Sequence, residues 1–440
     1  MSIESLYELY SAHPQIQTDT RKLQAGDLFF ALKGDRFDGN TFAKQALEAG
    51  AVAAIIDDPK AYIDKRTIVV EDVLKTLQAL ARYHREQLRI PVIAITGSNG
   101  KTTSKELVHT VLSTRFKTYT TEGNLNNHIG VPLTLLRIGT DAEMAVIEMG
   151  ANHQQEIAGY CQYALPTYGV ITNCGKAHLE GFGGVEGVKK GKGELYDHLR
   201  AAKGKAFVMW DYDYLRTMSR GLDGCITYGS QEADYQGYIV RKNEPDTEAP
   251  FLHVQVTQTP QNDRQDRCTI KTQLVGDYNF ANVMLAVTIG RHFGVPMQQI
   301  EQAIAAYAPS NSRSQLLKIG TNTIILDAYN ANPSSMRVAI ENFAGLPGTK
   351  KILLLGAMAE LGGESLAEHR SIVSLIGQYS WEQVALVGGA FNQIEHPFLR
   401  FDNATAAGQW LQQQHLEHSH LLIKGSRSSQ MELVLQKKEA

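Results

Sequence analysis

Short apolar runs alternate with amphipathic stretches over the first part of the chain. Residues 27–32 and 51–56 are almost wholly apolar, which predicts two buried strands, and residues 41–49 between them predict a helix. An amphipathic stretch at 72–88 predicts a second helix that leads out of this block. The alternation of strands and helices indicates a small α/β domain over residues 1–88.

The next block, residues 89–312, contains apolar runs of the kind found in strands that are covered on both faces. These runs occupy residues 92–96, 144–148 and 168–172. Between residues 235 and 274 apolar and polar positions alternate instead, which predicts an antiparallel edge or subsheet. A helix is expected from about residue 279 to residue 293.

The polar stretch at 309–315 is a candidate linker to a third block, residues 313–440. Strands are predicted in this block at residues 323–327, 351–355, 384–387 and 421–424. Helical or loop sequence follows each of them, a pattern typical of βαβ units and of a second doubly wound domain. The pattern as a whole predicts three α/β domains.

Composition narrows the classes of protein to consider. The 440 residues include 43 basic and 46 acidic residues, for a formal charge of −3, and no basic run suggests a nucleic-acid partner. No apolar stretch approaches the roughly 20 residues that span a bilayer, and the N-terminus does not resemble a signal peptide. The scattered cysteines, Cys161, Cys174, Cys225 and Cys268, favour free thiols and a cytoplasmic location.

A glycine-containing segment joins the 92–96 strand to a helix. It consists of Thr96, Gly97, Ser98, Asn99, Gly100, Lys101, Thr102 and Thr103, and we call residues 96–103 the phosphate loop. Glycines allow backbone N–H groups to point at phosphate oxygens, and the helix N-terminus adds partial positive charge. Lys101 is expected to reach the β- and γ-phosphates, and the Thr102 hydroxyl to hold Mg²⁺. The segment predicts an ATP site, although two residues separate its glycines instead of the usual four.

Two polar residues follow other buried strands of the same predicted sheet. Glu148 ends the 144–148 run, and His178 lies in the loop after the 168–172 run. Ligands of open α/β sheets bind at the carboxyl ends of the strands, so both residues are candidates for the nucleotide site. Glu148 is placed to bind the Mg²⁺ of the nucleotide, whereas a loop histidine taken alone is more often a surface residue.

Lys192 falls on the apolar side of a predicted helix. Val188, Lys192, Leu195 and Leu199 share one face, and the neighbouring charged residues lie off it. Either the side chain extends along this face to water, or its amine is partly buried. Burial lowers the pKa of an amine, and a neutral amine can react with CO₂ to form a carbamate that binds Mg²⁺.

Motifs spread over nearly the whole chain carry a family resemblance. They are TDTRKLQAGDLFFALKGDRFDGNTF (18–42), TGSNGKTT (96–103), EGNLNNHIGVPLTLLR (122–137), VIEMGANHQQEI (147–157), AHLEGF (177–182), KGKGELY (190–196), DAYNANPSSM (327–336), GAMAELG (356–362) and KGSRSSQMEL (424–433). In this order they resemble the Mur ligases, whose phosphate loop has the same two-residue spacing. The first and the last three are similar to those of the branch that adds D-alanyl-D-alanine.

The resemblance implies a role for each matching position. Lys101, His178 and Lys192 would be catalytic, with Thr102 and Glu148 holding one Mg²⁺ and His178 and carbamylated Lys192 serving a second. The phosphate loop from Gly97 to Thr103 would bind ATP, together with Asn279, Asn282, Arg313 and Asp327. Substrate contacts would come from Thr20, Arg21, Asn124, Asn127, Asn330, Asn332, Lys424 and Arg427.

The resemblance also implies fold and activity. The domains would be a small UDP-sugar-binding α/β domain, a central P-loop ATPase-type mononucleotide-binding domain with an antiparallel subsheet, and a C-terminal Rossmann-like domain. The expected monomer would join D-alanyl-D-alanine to a UDP-N-acetylmuramoyl-tripeptide through an acyl phosphate, without nucleic-acid binding or membrane insertion. Alternatives are a Mur ligase adding the third stem amino acid, a folylpolyglutamate-type ligase, and a P-loop switch that signals through a partner.

Overall fold

The computed structural model describes residues 1–240, 250–258, 268–310 and 312–436. The predicted antiparallel region 235–274 therefore includes residues 241–249 and 259–267, which lie outside the described residues, as does residue 311 of the predicted linker. The described residues form three α/β domains, each built around its own main sheet, as the sequence predicted.

The N-terminal domain is a parallel sheet with helices packed on it. Its strands run in the order β1-β2-β5-β6, and β3 and β4 form a separate antiparallel ribbon. The strands are β1 (Ile16–Gln17), β2 (Leu28–Phe30), β3 (Lys33–Gly34), β4 (Phe37–Asp38), β5 (Ala53–Ile56) and β6 (Thr67–Val69). The helices are α1 (Ile3–Ala12), α2 (Ala43–Glu48) and α3 (Val73–Gln87).

Helix α3 attaches this domain to the next one. Its Arg85 is buried and donates hydrogen bonds to the carbonyls of Ala164 and Leu165 in the central domain. The ring of His84 contacts the carbonyl of Ile138, also in the central domain, over 2.8 Å. Buried side chains that bond backbone across a boundary in this way hold the two domains in one orientation.

The central domain has a long mixed sheet in the order β15-β14-β13-β12-β11-β10-β7-β9-β8. Strands β7 to β13 are parallel to their neighbours in this part of the sheet, and β13, β14 and β15 form the predicted antiparallel part. The strands are β7 (Val92–Thr96), β8 (Thr118–Thr120), β9 (Met144–Glu148), β10 (Tyr168–Ile171), β11 (Lys205–Met209), β12 (Cys225–Gly229), β13 (Tyr235–Ile239), β14 (Phe251–Gln258) and β15 (Cys268–Val275).

The helices of the central domain cover this sheet. They are α4 (Lys101–Leu112), α5 (Gly130–Leu135), α6 (Glu156–Ala164), α7 (Leu179–Phe182), α8 (Val185–Ala202), α9 (Asp213–Met218), α10 (Phe280–His292) and α11 (Met297–Ala306). Helix α10 is apolar on nearly all sides and is buried along most of its length, as expected for a helix in the interior. No helix in the described ranges combines the length and apolar character needed to cross a membrane.

The C-terminal domain contains a sheet in the order β16-β17-β21-β18-β19-β20. Its strands are β16 (Gln315–Ile319), β17 (Asn322–Asp327), β18 (Lys351–Gly356), β19 (Gln383–Val387), β20 (Leu399–Phe401) and β21 (His420–Lys424), and its helices α12 (Pro333–Gly345), α13 (Ser365–Ile376) and α14 (Ala404–Gln413). The parallel core confirms the doubly wound prediction. The antiparallel edge strand β16 was not predicted and begins inside the predicted linker.

Candidate functional site

Neighbouring central strands end at one cavity of about 610 Å³, which the C-terminal domain also lines. The phosphate loop follows β7, Glu148 ends β9, and the loop containing His178 follows β10. The predicted site residues on its walls are Ser98, Asn99, Gly100, Lys101, Thr102, Thr103, Asn124, Asn127, Glu148, His178, Asn279, Asn282, Arg313, Asp327, Asn330, Asn332 and Lys424. Most residues that the sequence assigned to the site thus lie together at the carboxyl ends of the central strands, where ligands of this fold bind.

The glycines of the phosphate loop are required by its shape. Gly97 has φ of +144°, and a Cβ on it would lie 2.0 Å from the Thr172 hydroxyl oxygen. Gly100 has φ of +79°, and a Cβ there would lie 2.8 Å from Oδ1 of Asn282. Gly100 also stands at the N-cap of α4, where it has no side chain to occupy the first-turn N–H groups. The N-terminus of α4 therefore faces the cavity without a side-chain cap, and its free N–H groups can bind a phosphate.

Lys101 turns back onto this loop. Its Nζ donates hydrogen bonds to the carbonyls of Gly97, over 2.7 Å, and Ser98, over 3.2 Å. Desolvation lowers the pKa of Lys101; Glu148 opposes this shift and Arg313 adds to it. A phosphate anion in the cavity would supply the counter-charge that this desolvated ammonium calls for.

Glu148 presents a buried carboxylate to the same space. Its residue is 2% exposed, and Oε1 accepts a hydrogen bond from Nδ2 of Asn126 over 2.8 Å. Oε2 is buried without a hydrogen-bond partner among the described residues. An unsatisfied carboxylate oxygen beside a phosphate-binding loop fits Mg²⁺, which proteins usually hold through one or two carboxylates plus substrate phosphates. Within the described ranges, no group of three or more His, Cys, Asp or Glu residues is arranged to hold a metal ion.

His178 lies at the boundary between the central and C-terminal domains. It has φ of +50° at the start of α7, and its Nδ1 lies in close contact with the carboxylate of Glu360. The hydrogen bond from His178 lowers the pKa of Glu360. The sequence singled out His178 but not Glu360, because a glutamate in a loop of another domain carries no local signal.

Lys192 is buried, which decides between the two interpretations of its position on α8. The residue is 1% exposed, Nζ donates to the carbonyl of Ala151 over 3.0 Å, and the ring of Phe182 lies 4.9 Å away. Burial, with a further contribution from Lys101, lowers the pKa of Lys192 to about 7. The side chain does not reach out to water. It lies just behind the wall of the cavity, which Ala151 lines.

The segment joining the central and C-terminal domains contributes a cluster of polar contacts. The guanidinium of Arg313 lies 3.5 Å from the ring centroid of Tyr329, a cation–π contact. Asp327 accepts hydrogen bonds from Nζ of Lys424, over 2.5 Å, and from the backbone N–H of Ser314, over 3.2 Å. The pair Asp327–Lys424 joins the carboxyl ends of adjacent strands β17 and β21, which places both charges at the cavity.

The two asparagines at the start of α10 bond to each other and to α4. Nδ2 of Asn282 donates to Oδ1 of Asn279 over 2.9 Å, and Oδ1 of Asn282 accepts from the hydroxyl of Ser104 over 2.9 Å. Nδ2 of Asn279 donates to the carbonyl of Val275. These amides therefore fix the start of α10 against the helix that carries the phosphate loop.

Three predicted substrate residues lie away from this cavity. Thr20 and Arg21 belong to the N-terminal domain, and the 86% exposed side chain of Arg21 pairs with Asp19. Arg427 is also exposed and pairs with Glu432. The cavity has further aromatic walls that the sequence did not suggest, namely Tyr160, Tyr212, Tyr214, Tyr278 and Tyr329. Tyr278 and Tyr329 closely follow predicted strand regions, which is the signal that would have revealed them, whereas Tyr212 and Tyr214 follow β11, a strand that was not predicted.

Comparison with known proteins agrees with this arrangement. Residues 14–85 match the model "Mur ligase family, catalytic domain", residues 95–290 the Mur ligase middle domain, and residues 312–427 the model "Mur ligase, glutamate ligase domain". The UDP-N-acetylmuramoyl-tripeptide–D-alanyl-D-alanine ligase of Bacillus subtilis is 36% identical over 86% of this chain and 80% of its own length. The Escherichia coli enzyme of that name is 35% identical over 96% of this chain and 92% of its own.

Solved structures give the same result. MurF from Acinetobacter baumannii superposes with a TM-score of 0.84 at 31% identity, covering 97% of both chains. The Thermotoga maritima MurF ligase in complex with ADP gives 0.85 at 26% identity, covering 96% of both. A folylpolyglutamate synthase from Mycobacterium tuberculosis shares the fold alone, with a TM-score of 0.62 at 14% identity. Because all three Mur ligase domain models match and the relatives align over most of their length, the chain belongs to the Mur ligase family.

Proposed function

We propose that this chain is an ATP-dependent amide ligase that joins D-alanyl-D-alanine to a UDP-N-acetylmuramoyl-tripeptide during peptidoglycan synthesis. The observation that carries the proposal is a single cavity in which the phosphate loop and Glu148 of the central domain face Asp327 and Lys424 of the C-terminal domain. Full-length relatives of that name support the choice of substrates. The cavity gives ATP and two further reactants one place to meet.

The reaction must turn a poor electrophile into a reactive one. An oxygen of the tripeptide carboxylate attacks the γ-phosphorus of ATP, which releases ADP and leaves an acyl phosphate. The amine of D-alanyl-D-alanine then attacks the acyl carbon, loses a proton, and expels inorganic phosphate as the amide forms. No protein nucleophile is involved, so catalysis consists of positioning reactants and balancing charge.

Within this scheme the N–H groups of the first turn of α4 and the ammonium of Lys101 bind phosphate oxygens. Thr102 and Glu148 would hold one Mg²⁺, and His178 with a modified Lys192 a second. Mg²⁺ ions, when bound, neutralise charge on the transferring phosphoryl group.

Each domain has a part in binding. Thr20 and Arg21 of the N-terminal domain would grip the UDP end, and Asn124 and Asn127 would face the muramoyl peptide. The remaining predicted contacts to the dipeptide, or to the closed arrangement of the domains, are Asn330, Asn332, Lys424 and Arg427. A C-terminal domain closed over the cavity excludes water, which would otherwise hydrolyse the acyl phosphate. We place the monomeric enzyme in the cytoplasm, where ATP is available.

Carbamylation of Lys192 is part of the proposal. The nitrogen lone pair of a neutral lysine attacks CO₂ and the nitrogen loses one proton, which creates a carboxylate-like anion able to bind Mg²⁺. The burial of this amine and its pKa of about 7 make the neutral form available near neutral pH. We expect Lys192→Ala to lose activity and to regain part of it with formate or acetate. Lys192→Arg, which fills the space, should not respond. Full activity of Lys192→Ala without added acid would refute the carbamate.

The test of the function is phosphate release from ATP with defined acceptors. With UDP-N-acetylmuramoyl-tripeptide we expect steady release only when D-alanyl-D-alanine is added. Tripeptides that end in lysine and in diaminopimelate are assayed separately, to find which of them the enzyme accepts. Lys101→Ala should lower the rate by at least about 100-fold without changing the fold, because it removes the charge that binds the β- and γ-phosphates. Activity of this variant within tenfold of the parent would contradict the assignment of the loop.

Other outcomes would select other functions. Release with a UDP-muramoyl-dipeptide and a single amino acid would move the enzyme to the preceding step, and release with a folate acceptor would favour the folylpolyglutamate-type reaction. Tight ATP binding without release from any acceptor pair would favour a nucleotide-dependent switch.

A further inference from the structure

The start of helix α12 touches the phosphate loop across the boundary between the central and C-terminal domains. Asn332 is the N-cap of α12, and its Oδ1 accepts the backbone N–H of Ser335 over 2.9 Å. Its Nδ2 donates to Oδ1 of Asn99 in the phosphate loop over 2.7 Å. One amide side chain is therefore bonded to a helix of the C-terminal domain and to the loop that faces ATP.

The backbone and the side chain of Asn99 bond to different domains. Its backbone is fixed by the central domain, because its N–H donates to Oδ1 of Asn173 and its carbonyl accepts from the hydroxyl of Thr172. Its side chain extends the other way, to Asn332. The Asn332–Asn99 hydrogen bond thus links the position of the C-terminal domain to the orientation of one side chain of the phosphate loop.

The approach of the two domains is close at this place. A Cβ added to Gly175, which follows β10, would lie 2.8 Å from the hydroxyl oxygen of Ser334. The same hydroxyl accepts the backbone N–H of Lys176 over 2.9 Å. A separate ion pair between Lys176 and Glu368 also joins the domains. The two domains therefore have other contacts at this boundary besides the hydrogen bond between Asn332 and Asn99.

We propose that Asn332 is a positioning residue for phosphoryl transfer, one that acts on the phosphate loop through Asn99 when the C-terminal domain is closed. This inference rests on the proposed ligase function. The Asn332 amide holds the Asn99 side chain in one orientation, and with it the loop that binds the transferred phosphate. Small misplacements of reacting groups are costly to rate, so the contact should affect turnover more than substrate binding.

The variant Asn332→Ser isolates this contact. Serine caps a helix about as well as asparagine, but its short side chain cannot reach Asn99. We expect kcat for ligation to fall about tenfold, while KM for D-alanyl-D-alanine and Tm change little. The matched control is Asn403→Ser, the same change at the N-cap of α14 in the same domain and away from the cavity. It should leave kcat unchanged.

Asn99→Ala approaches the contact from the other side, so it tests the inference even where a change at Asn332 impairs folding. A contact that acts as a unit predicts that the double variant is no slower than the slower single variant. Multiplicative effects, or a kcat within twofold of the parent in either single variant, would overturn the role of Asn332. If the parent enzyme itself does not ligate, the proposed function fails instead.

Discussion

Lys192 keeps its amine where water does not reach. The apolar face of α8 carries it inward, and its hydrogen-bond acceptor is the carbonyl of Ala151. Burial lowers the pKa of this lysine from 10.5 to about 7. The folded chain therefore holds a group that is charged in the unfolded chain but largely neutral in the native one over a wide pH range.

This difference predicts how stability depends on pH. Between about pH 7 and 10.5 the unfolded chain binds a proton at Lys192 that the folded chain releases, so stability rises with pH across this window. Below pH 7 the free-energy cost of burying Lys192 lowers the stability of the fold by its full amount. Lys192→Met should therefore be more stable than the parent by on the order of 5 kcal/mol at pH 6, and the advantage should shrink toward pH 10.

Denaturant unfolding at pH 6 and pH 9.5, in CO₂-free buffer without nucleotide, measures this effect. Lys190→Met changes an exposed lysine on the same helix and should show no such trend. An advantage of Lys192→Met that does not depend on pH would contradict the assignment of the shift to this amine.

The elements that build the site are those with the strongest local signals. The bounds of β7 and β9 are the predicted ones, because all-apolar runs between polar segments leave little choice of strand ends. Among the strands that were not predicted are β8 and β16. They lie at sheet edges, their residues are half-buried or exposed, and neither shows an apolar run or a regular alternation.

The phosphate loop shows how a departure from a motif is resolved by its surroundings. Two residues rather than four separate Gly97 and Gly100, yet the loop still joins a buried strand to a helix N-terminus. The conformation is fixed by neighbours distant in sequence, the hydroxyl of Thr172 and the amide of Asn282, which leave no room for a Cβ at either glycine. Backbone direction, not motif length, is what presents N–H groups to a phosphate.

At the scale of the whole molecule, polar contacts hold the C-terminal domain against the central one. Lys176 reaches the buried carboxylate of Glu368 over 2.5 Å, and His178 pairs with Glu360. None of these four residues belongs to α12, the helix whose N-cap Asn332 contacts the phosphate loop. Lys176 and His178 both belong to the loop that follows β10, and His178 lines the cavity.

Breaking the Lys176–Glu368 pair should partly uncouple ATP hydrolysis from amide formation. We expect Lys176→Gln and Glu368→Gln each to release more than one phosphate per amide formed, because a loosened domain admits water to the acyl phosphate. The double variant should leak no more than the singles, since both remove the same contact. Parallel assays of phosphate and product measure this ratio.

Lys189→Gln is the matched control for this measurement. It breaks an ion pair with Glu186 that lies within α8 and does not cross the boundary, so its ratio should stay at one. A ratio of one in Lys176→Gln and in Glu368→Gln as well would contradict a role for that pair in closure.

The sequence by itself determined the three-domain α/β organisation, the central strands β7, β9 and β10, and the glycine-containing phosphate loop between β7 and α4. Apolar runs and glycine spacing are local properties, and they constrain local structure directly. It also placed Lys192 on an apolar face, and the motif order indicated the family. Within the described residues, the structure added the partners of these groups.

Tertiary structure alone decided which side chains meet. That Glu360 faces His178 and that Asn332 touches Asn99 depend on how separate domains dock. The burial of Lys192 depends instead on how segments of the central domain, including Ala151 and Phe182, pack against α8. Each contact joins residues far apart in the chain, and its energy depends on burial and geometry that neither segment possesses alone. A sequence pattern reports the face on which a residue lies, whereas the docked domains determine what lies opposite that face.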